Sequence, residues 1–405
     1  MATKHYQYYP QEENIPQVLA YGFRPFLLIL PWYIALNIVL WSLTFSGVIS
    51  FSLIDNLLQW HIYELLFGVG MGGILAFMLT ALPEMYPGVV PIVNKKLLYI
   101  VIAWGAGRIG FWFIDIIGVT VVALLNLGLF VWLLSWVFKP VLLDPLQRSA
   151  SVGYTLIAIF ILQTLFFASE LNIIALDSIS LLYASISTFM ILILLLLRRI
   201  NMEIINERME IDQQDDVFKA RPYRYNLAIF CVILFAVVEF FYPSNSVLTW
   251  LGLACGAAIL GIINDYNLEY ESIIFKPYTL YLSSILVCMA LGYAFLGINT
   301  LFEWSYQSHF RHFITTGAFS LTFFMVMVIV AYVHTGRPIE SNAWIALGVI
   351  LLLSATLLRV AVIFFQEYYF TFIGLSSTLF ALAFILYFFK TKDFFLQERF
   401  DGIKG

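Results

Sequence analysis

The sequence predicts an all-α membrane protein, a polytopic bundle of about twelve transmembrane helices. Of its 405 residues, 62% are hydrophobic and only 11% are charged, which leaves too little polar surface to cover a soluble globule of this size. Long apolar stretches recur along the chain, and each approaches the roughly 20 residues that a helix needs to span a bilayer. The positive charges gather on alternate connections between these stretches, as multi-pass membrane proteins require.

Each predicted span is an apolar run bounded by polar or turn-forming residues. The stretch 97–138 holds two helices, because Asp115 and Gly118 mark a turn inside it. The predicted spans are residues 23–50, 57–82, 97–116, 117–138, 151–169, 176–198, 225–241, 246–263, 277–297, 310–333, 342–365 and 368–389.

The charged residues also predict the topology. Residues 1–22 form a polar tail without the short apolar core of a signal peptide, so the first span is expected to act as the insertion signal. Nearly all of the 21 Lys and Arg residues lie on one set of connections, which predicts that both termini face the cytoplasm. We expect one transmembrane domain over 23–390, split six plus six by a linker at about 199–224, and a cytoplasmic tail at 391–405.

Several functional classes are excluded by missing motifs. The sequence has no Gly-Lys-Ser/Thr phosphate loop and no Gly-x-Gly-x-x-Gly element, so a nucleotide-driven pump is not expected. It has no Cys-x-x-Cys-His motif, which excludes covalent haem attachment. The net charge of −4 says little about partners, because the positive charges are local. The predicted partner is the lipid bilayer, and a nucleic acid is not expected.

Two histidines stand near the starts of spans that run in the same direction, His61 in the second span and His312 in the tenth. His61 and Glu64 are three residues apart, so they share one helix face, and such residues inside a membrane are usually retained for function. Two neutral imidazoles on facing helices suit haem iron or copper. We therefore predict that His61 and His312 lie close together. Ordinary helix-interface histidines are the alternative.

The other three histidines have simpler interpretations. His334 ends the tenth span, 22 residues from His312, or about 33 Å along a helix, so the two cannot share a site. A helix-capping role explains His334, a headgroup-level loop explains His309, and a solvated tail explains His5.

Two arginines lie within predicted spans, Arg108 and Arg359. A guanidinium in hydrocarbon needs a partner. For Arg108 we predict Glu64 or a cofactor carboxylate as that partner.

Six short blocks follow one another along the chain: 21–26, Trp60 to Gly68, Phe77 to Pro83, Ala106 to Arg108, His312 to Ala318, and His334 to Arg337. Together they resemble the NnrS family, whose members carry a Phe-Arg-Pro-Phe opening, a Trp-His-x-His-Glu-Met-Leu-Phe-Gly block and a Gly-His-Thr-Gly-Arg element. The resemblance covers most of the chain.

This resemblance implies a haem- and copper-containing protein of the bacterial inner membrane, linked to tolerance of nitric oxide. Carried over by position, His61, His312 and His334 are candidate metal ligands, and Arg108 and Glu64 match further family residues. Two family histidines are replaced here, by Tyr63 and by Ser283.

These replacements bear on the cofactor. Tyr63 is a candidate haem ligand, but a phenol does not replace an imidazole for copper. The resemblance therefore favours a b-type haem and leaves copper open.

The leading functional hypothesis is protection against nitric oxide, which the protein would bind or turn over. Twelve spans divided six plus six also fit a secondary transporter. A membrane subunit that passes electrons from quinol is the third possibility.

Overall fold

The computed structural model describes residues 9–10, 14–50, 56–213, 216–269, 271–339 and 342–405, so His5 lies outside the described residues. Within these ranges the chain is helical and has no β-sheet, which confirms the all-α class. A long helix overlaps each predicted span. These helices are α1 (Phe23–Phe45), α2 (Leu57–Met85), α3 (Asn94–Trp112), α4 (Val119–Leu142), α5 (Ala150–Glu170), α6 (Ser178–Ile211), α7 (Pro222–Phe241), α8 (Val247–Tyr266), α9 (Pro277–Leu301), α10 (Gln307–Val333), α11 (Ala343–Ala361) and α12 (Gln366–Leu396).

Eleven of these helices in the described part of the chain are long and apolar enough to cross a membrane. The exception is α3, whose 19 residues include Lys95, Lys96 and Arg108. The turn expected after α3 is present, because the short helix Ile114–Ile117 ends at Gly118, where φ is 91°. A positive φ of this kind favours glycine. The chain is therefore a multi-pass helical membrane protein.

The sixth helix is longer than predicted. It continues without a break to Ile211, so the first half of the expected linker is helical. Ion pairs one turn apart support this extension, Arg199 with Glu203 at 2.8 Å and Arg208 with Asp212 at 2.9 Å. The next helix starts at Pro222, and proline suits the first helical position. The cytoplasmic placement of the termini and the six-plus-six division stay predictions.

Two compact units make up the fold. The first comprises Met1–Leu182, Met327–Ile339 and Phe384–Gly405, and the second comprises Tyr183–Val326 and Glu340–Ala383. The chain passes from one unit to the other within α6, α10 and α12, and once more after Ile339.

In the described part of the chain, wide π-helical turns occur in three of the helices. The segment Phe138–Leu142 of α4 contains Pro140, and proline distorts a helix by itself. The other two segments, Glu64–Val69 in α2 and Phe313–Phe319 in α10, have no proline. These two helices are also the most buried of the eleven. Such turns occur frequently at functional sites, so a functional site is most expected along α2 and α10.

Candidate functional site: histidines and buried ion pairs beside two π-helical turns

A buried ion pair lies at the start of the π-helical turn of α2, in the first unit. The Glu64 carboxylate is fully buried and lies 2.9 Å from the Arg108 guanidinium, whose side chain is 5% exposed. The ion pair expected from the cost of an unpaired guanidinium in lipid is therefore present. The charges cancel, which makes their burial tolerable.

Further hydrogen bonds complete this pair. The Tyr33 hydroxyl on α1 donates to the second carboxylate oxygen of Glu64, and the Trp112 indole donates to the Tyr33 hydroxyl at 3.1 Å. On the other side, Arg108 donates to the Asn126 side-chain oxygen on α4. Four helices of the first unit therefore meet at one polar network.

The π-helical turn of α2 is packed tightly against this network. A Cβ at Gly68 would press on the Glu64 carboxylate and would lie 2.8 Å from the Arg108 Nη1 atom, so a larger residue there would require the ion pair to shift. The Gly68 carbonyl, inside the widened turn, accepts a hydrogen bond of 3.0 Å from the Trp104 indole. A backbone carbonyl that the widened turn could leave unpaired is thus satisfied by a side chain.

Tyr63 lies in an aromatic cluster next to the pair. Its ring stacks on Phe111 with centroids 3.8 Å apart, and the Arg108 guanidinium lies 5.8 Å from the ring centroid. The Gln163 amide donates to the Tyr63 hydroxyl at 2.9 Å. The Tyr63 hydroxyl is thus hydrogen-bonded and its ring is stacked. The role of Tyr63 as a haem ligand stays a prediction.

His61 lies one turn before Glu64 and is half-buried. Its imidazole stacks face to face on Trp41 of α1, with ring centroids 4.1 Å apart and planes 15° apart. Residues two apart on a helix point to different faces, so His61 and Tyr63 present their side chains in different directions.

A second buried ion pair lies at the start of α10, in the second unit. Arg311 donates to both carboxylate oxygens of Glu239 on α7, at 2.7 and 3.3 Å. Its guanidinium also lies 3.9 Å from the ring centroid of Tyr183 on α6, a cation–π contact. Sequence reasoning missed this pair, because an arginine at the start of a span is equally compatible with a loop at the membrane surface.

The adjacent His312 hydrogen-bonds to its own helix. Its Nδ1 atom lies 2.6 Å from the Ser308 carbonyl oxygen. A carbonyl can only accept, so Nδ1 must carry the proton and the imidazole lone pair is on Nε2. His312 immediately precedes the π-helical turn of α10, just as His61 lies just before that of α2.

His309 has the opposite hydrogen-bonding role. Its Nδ1 atom lies 2.7 Å from the Arg359 guanidinium on α11. A guanidinium can only donate, so Nδ1 is the acceptor and the proton of the neutral ring is on Nε2. His309 is therefore half-buried against α11 and is not the simple loop residue that the sequence suggested.

The sequence predicted no particular partner for Arg359. Among the described residues no carboxylate forms an ion pair with it. Of the two arginines predicted inside spans, Arg108 is thus neutralised by Glu64, whereas Arg359 bonds to a neutral imidazole.

His334 follows the last residue of α10 and belongs to the first unit. Its Nδ1 atom lies 2.9 Å from a Glu84 carboxylate oxygen, so the ring does not cap the helix carbonyls and the capping interpretation was wrong. The helix ends as expected near Gly336, where φ is 73°. No local pattern points to Glu84, because it lies at the far end of α2 from Glu64.

The C-terminal segment holds this end in place. Arg399 donates to the His334 carbonyl at 3.0 Å and pairs with Asp401 at 2.6 Å. The Arg399 guanidinium keeps the pKa of the Asp401 carboxyl below its ordinary value. Charged side chains therefore hold His334 in place, at a position just beyond the end of α10.

The structure thus brings Glu64, Arg108 and Tyr63 together in the first unit. His61 belongs to the first unit and His312 to the second. The predicted approach of these two histidines stays a prediction.

Comparison with known families now bears on the chain as a whole. A family model described as NnrS protein matches residues 17–399. The chain belongs to the NnrS family. A comparison with curated proteins found no match. At the level of the family, NnrS membership associates the chain with haem, copper and nitric oxide.

The side chains of this NnrS protein can be tested for their fit to those cofactors. Haem iron takes the lone pair of a neutral imidazole. His312 has its lone pair on Nε2, with Nδ1–H donated to a carbonyl, and this arrangement orients metal-binding histidines. His334 is oriented in a similar way, except that its Nδ1 atom faces the Glu84 carboxylate and not a backbone carbonyl. His309 uses its lone pair on Arg359 and does not fit.

Copper sites need several ligands in one place. Across the ranges that the structure describes, no group of three or more His, Cys, Asp or Glu side chains is placed to hold a metal ion.

Proposed function

We propose that this NnrS protein holds a b-type haem in the membrane and binds or turns over nitric oxide there, which protects the cell from nitrosative stress. The observation that carries the proposal is the hydrogen bond from His312 to the Ser308 carbonyl at 2.6 Å. It orients the ring and places the imidazole lone pair on Nε2, the atom through which a metal would bind. His61 is the candidate for the second axial ligand, and their approach to each other is part of the proposal.

Arg359 is the side chain in this region best suited to receive a haem carboxylate. Arg108 already bonds to Glu64 and to Asn126, so its charge is balanced. Arg359 bonds to the neutral His309 ring, and no carboxylate of the described chain balances its charge. Because His309 and His312 are three apart on α10, Arg359 lies near the face that carries His312.

Aromatic side chains are packed next to the start of α10. Phe295 on α9 stacks on Phe310 with centroids 5.1 Å apart and on Phe313 with centroids 5.6 Å apart. Phe310 and Phe313 are two residues before and one residue after His312, so they lie on other faces of the helix. They make this end of α10 apolar, which would admit a small uncharged gas from the lipid.

When bound, ferrous haem supplies the iron that binds nitric oxide. The protein residues would orient the ligand imidazole at His312 and balance a haem carboxylate at Arg359. The electron donor would be identified by whether a quinol analogue reduces the haem.

The first test is optical spectroscopy of the protein purified after expression with a supply of haem. We expect a b-type Soret band in the wild type and a shift of that band when nitric oxide is added. A wild-type protein without any Soret band would overturn the proposal and favour the secondary transporter. Metal analysis of the same preparation would determine whether copper is present.

Histidine variants test the ligand assignment. His312→Ala and His61→Ala should each remove most of the haem, and the double variant should lose little more, because both act on one cofactor. His309→Ala is the matched control three residues away and should keep the Soret position of the wild type. His334→Ala should leave this site filled. Haem loss in His309→Ala but not in His312→Ala would overturn the assignment of His312.

A further inference from the structure

A cavity of about 220 Å³ lies in the second unit, where the end of α6 meets the start of α9. Its walls include Ile205, Met209 and Ile273, which are buried. The volume corresponds to roughly seven water molecules. This is the size of a headgroup and not of a whole lipid or a peptide.

The cavity lies at the level where the spans leave the apolar layer. The apolar run of α6 ends at Leu197 and is followed by Arg198 and Arg199, so the extension to Ile211 lies at the membrane surface. The opposite wall is the start of α9, where Lys276 precedes Pro277. Both walls thus lie at the membrane surface. The most abundant ligands at that level are the headgroups of the lipids.

Charges at the mouth of the cavity favour an anion. Arg208, Lys276 and Asp212 are the charged side chains among the described residues that line it, and Glu271 lies beside Lys276. Each cation is about one-third exposed and is ion-paired, with Asp212 and Glu271 respectively. Such exposed pairs contribute little stability, so both cations can reorient toward a bound phosphate.

A buried hydroxyl provides a further polar group. Thr279 lines the same cavity and is 3% exposed. Among the described residues, nothing donates to or accepts from its hydroxyl. Buried polar groups are normally hydrogen-bonded, so this hydroxyl lies where a ligand oxygen would satisfy it. The backbone N–H groups at the start of α9 add the positive end of a long helix.

We propose that this cavity binds the phosphate of an anionic phospholipid, with Arg208, Lys276 and the Thr279 hydroxyl as its recognition groups. The acyl chains would follow the apolar side chains of Ile205 and Met209 into the bilayer. Clusters of basic residues at the membrane surface bind anionic lipids in this way. The proposal is independent of the haem and of its ligands.

The test uses the full-length protein purified in detergent, with bound lipid counted by native mass spectrometry after addition of phosphatidylglycerol or phosphatidylcholine. We expect the wild type to retain phosphatidylglycerol preferentially. Arg208→Gln/Lys276→Gln should weaken that retention roughly thirtyfold, from the usual contribution of two interfacial cations. Equal retention of both lipids by the wild type would overturn the proposal.

A matched control is Arg199→Gln/Lys219→Gln, which removes the same charge from exposed positions outside the cavity. It should retain phosphatidylglycerol like the wild type, and a loss equal to that of the cavity variant would overturn the proposal. Thr279→Val, an isosteric change, should weaken retention several-fold without removing charge. Inorganic phosphate at millimolar concentration should not displace the lipid; displacement would assign the site to free phosphate instead.

Discussion

The two units of this NnrS protein each bury an arginine–glutamate pair beside a π-helical turn, but the two pairs are arranged in opposite ways. In the first unit the carboxylate, Glu64, lies on the histidine-bearing helix and the arginine comes from α3. In the second unit the arginine, Arg311, lies on the histidine-bearing helix and the carboxylate comes from α7. The histidine helix therefore carries a negative charge in one unit and a positive charge in the other.

The surroundings of the two pairs differ as well. Glu64 is fully buried and accepts hydrogen bonds from both Arg108 and Tyr33. Glu239 is 15% exposed and lies two residues from the end of α7. The first pair is therefore enclosed by protein, whereas Glu239 of the second pair is partly exposed near the end of its helix. The penalty for breaking a pair should follow this difference in burial.

The largest expected effect comes from removing one arginine. Arg108→Leu leaves the Glu64 carboxylate buried without its cation, which should cost about 3–5 kcal/mol of unfolding free energy. Arg311→Leu should cost less, about 1–2 kcal/mol, because Glu239 is already partly exposed near the end of its helix. SDS titration of the protein in bicelles would measure both values.

The double variant Arg108→Leu/Glu64→Leu is the control for this prediction. It removes both charges, so it should recover much of the loss. Equal losses for Arg108→Leu and Arg311→Leu would show that burial does not distinguish the two pairs.

A smaller effect is expected at the π-helical turn of α2. A methyl group at Gly68 would press on the guanidinium of Arg108, so Gly68→Ala should destabilise the protein by about 1–3 kcal/mol through overpacking. Gly128→Ala in α4 is the matched control, because nothing lies within 4 Å of its added Cβ. Alanine there should be neutral or stabilising by up to about 1 kcal/mol. Thermal unfolding would compare the two, and similar shifts would contradict the close contact at Gly68.

Sequence reasoning found the first pair and missed the second for a physical reason. Glu64 and Arg108 both stand inside apolar runs, where the cost of a lone charge predicts a partner. Arg311 stands at the start of its span, where a surface position is equally acceptable. Glu239, late in the seventh span, was the available signal.

The helices, like the ion pairs, were predictable only where the apolar pattern of the sequence marks them. Apolar runs are sufficient to locate them, because a bilayer requires about 20 such residues. The extension of α6 to Ile211 was not predictable in this way, since it is polar and depends on ion pairs such as that of Arg199 with Glu203. The contact of His309 with Arg359 joins residues 50 positions apart, and no local pattern indicates such a contact.

The smallest expected effect on stability concerns the tyrosine next to each ion pair, which contacts the pair in a different way in each unit. Tyr33 acts through its hydroxyl, which donates to Glu64, whereas Tyr183 acts through its ring, which lies 3.9 Å from the Arg311 guanidinium. Tyr33→Phe should therefore cost about 1 kcal/mol, a value common for side-chain hydrogen bonds within membranes. Tyr183→Phe keeps an aromatic face and should be close to neutral, while Tyr183→Leu removes that face and should cost about 0.5–1 kcal/mol. The same SDS titration resolves the three variants if the midpoints are compared directly. A loss in Tyr183→Phe as large as in Tyr33→Phe would mean that the second pair also depends on a phenolic hydrogen bond, and the contrast between the two units would then reduce to burial alone.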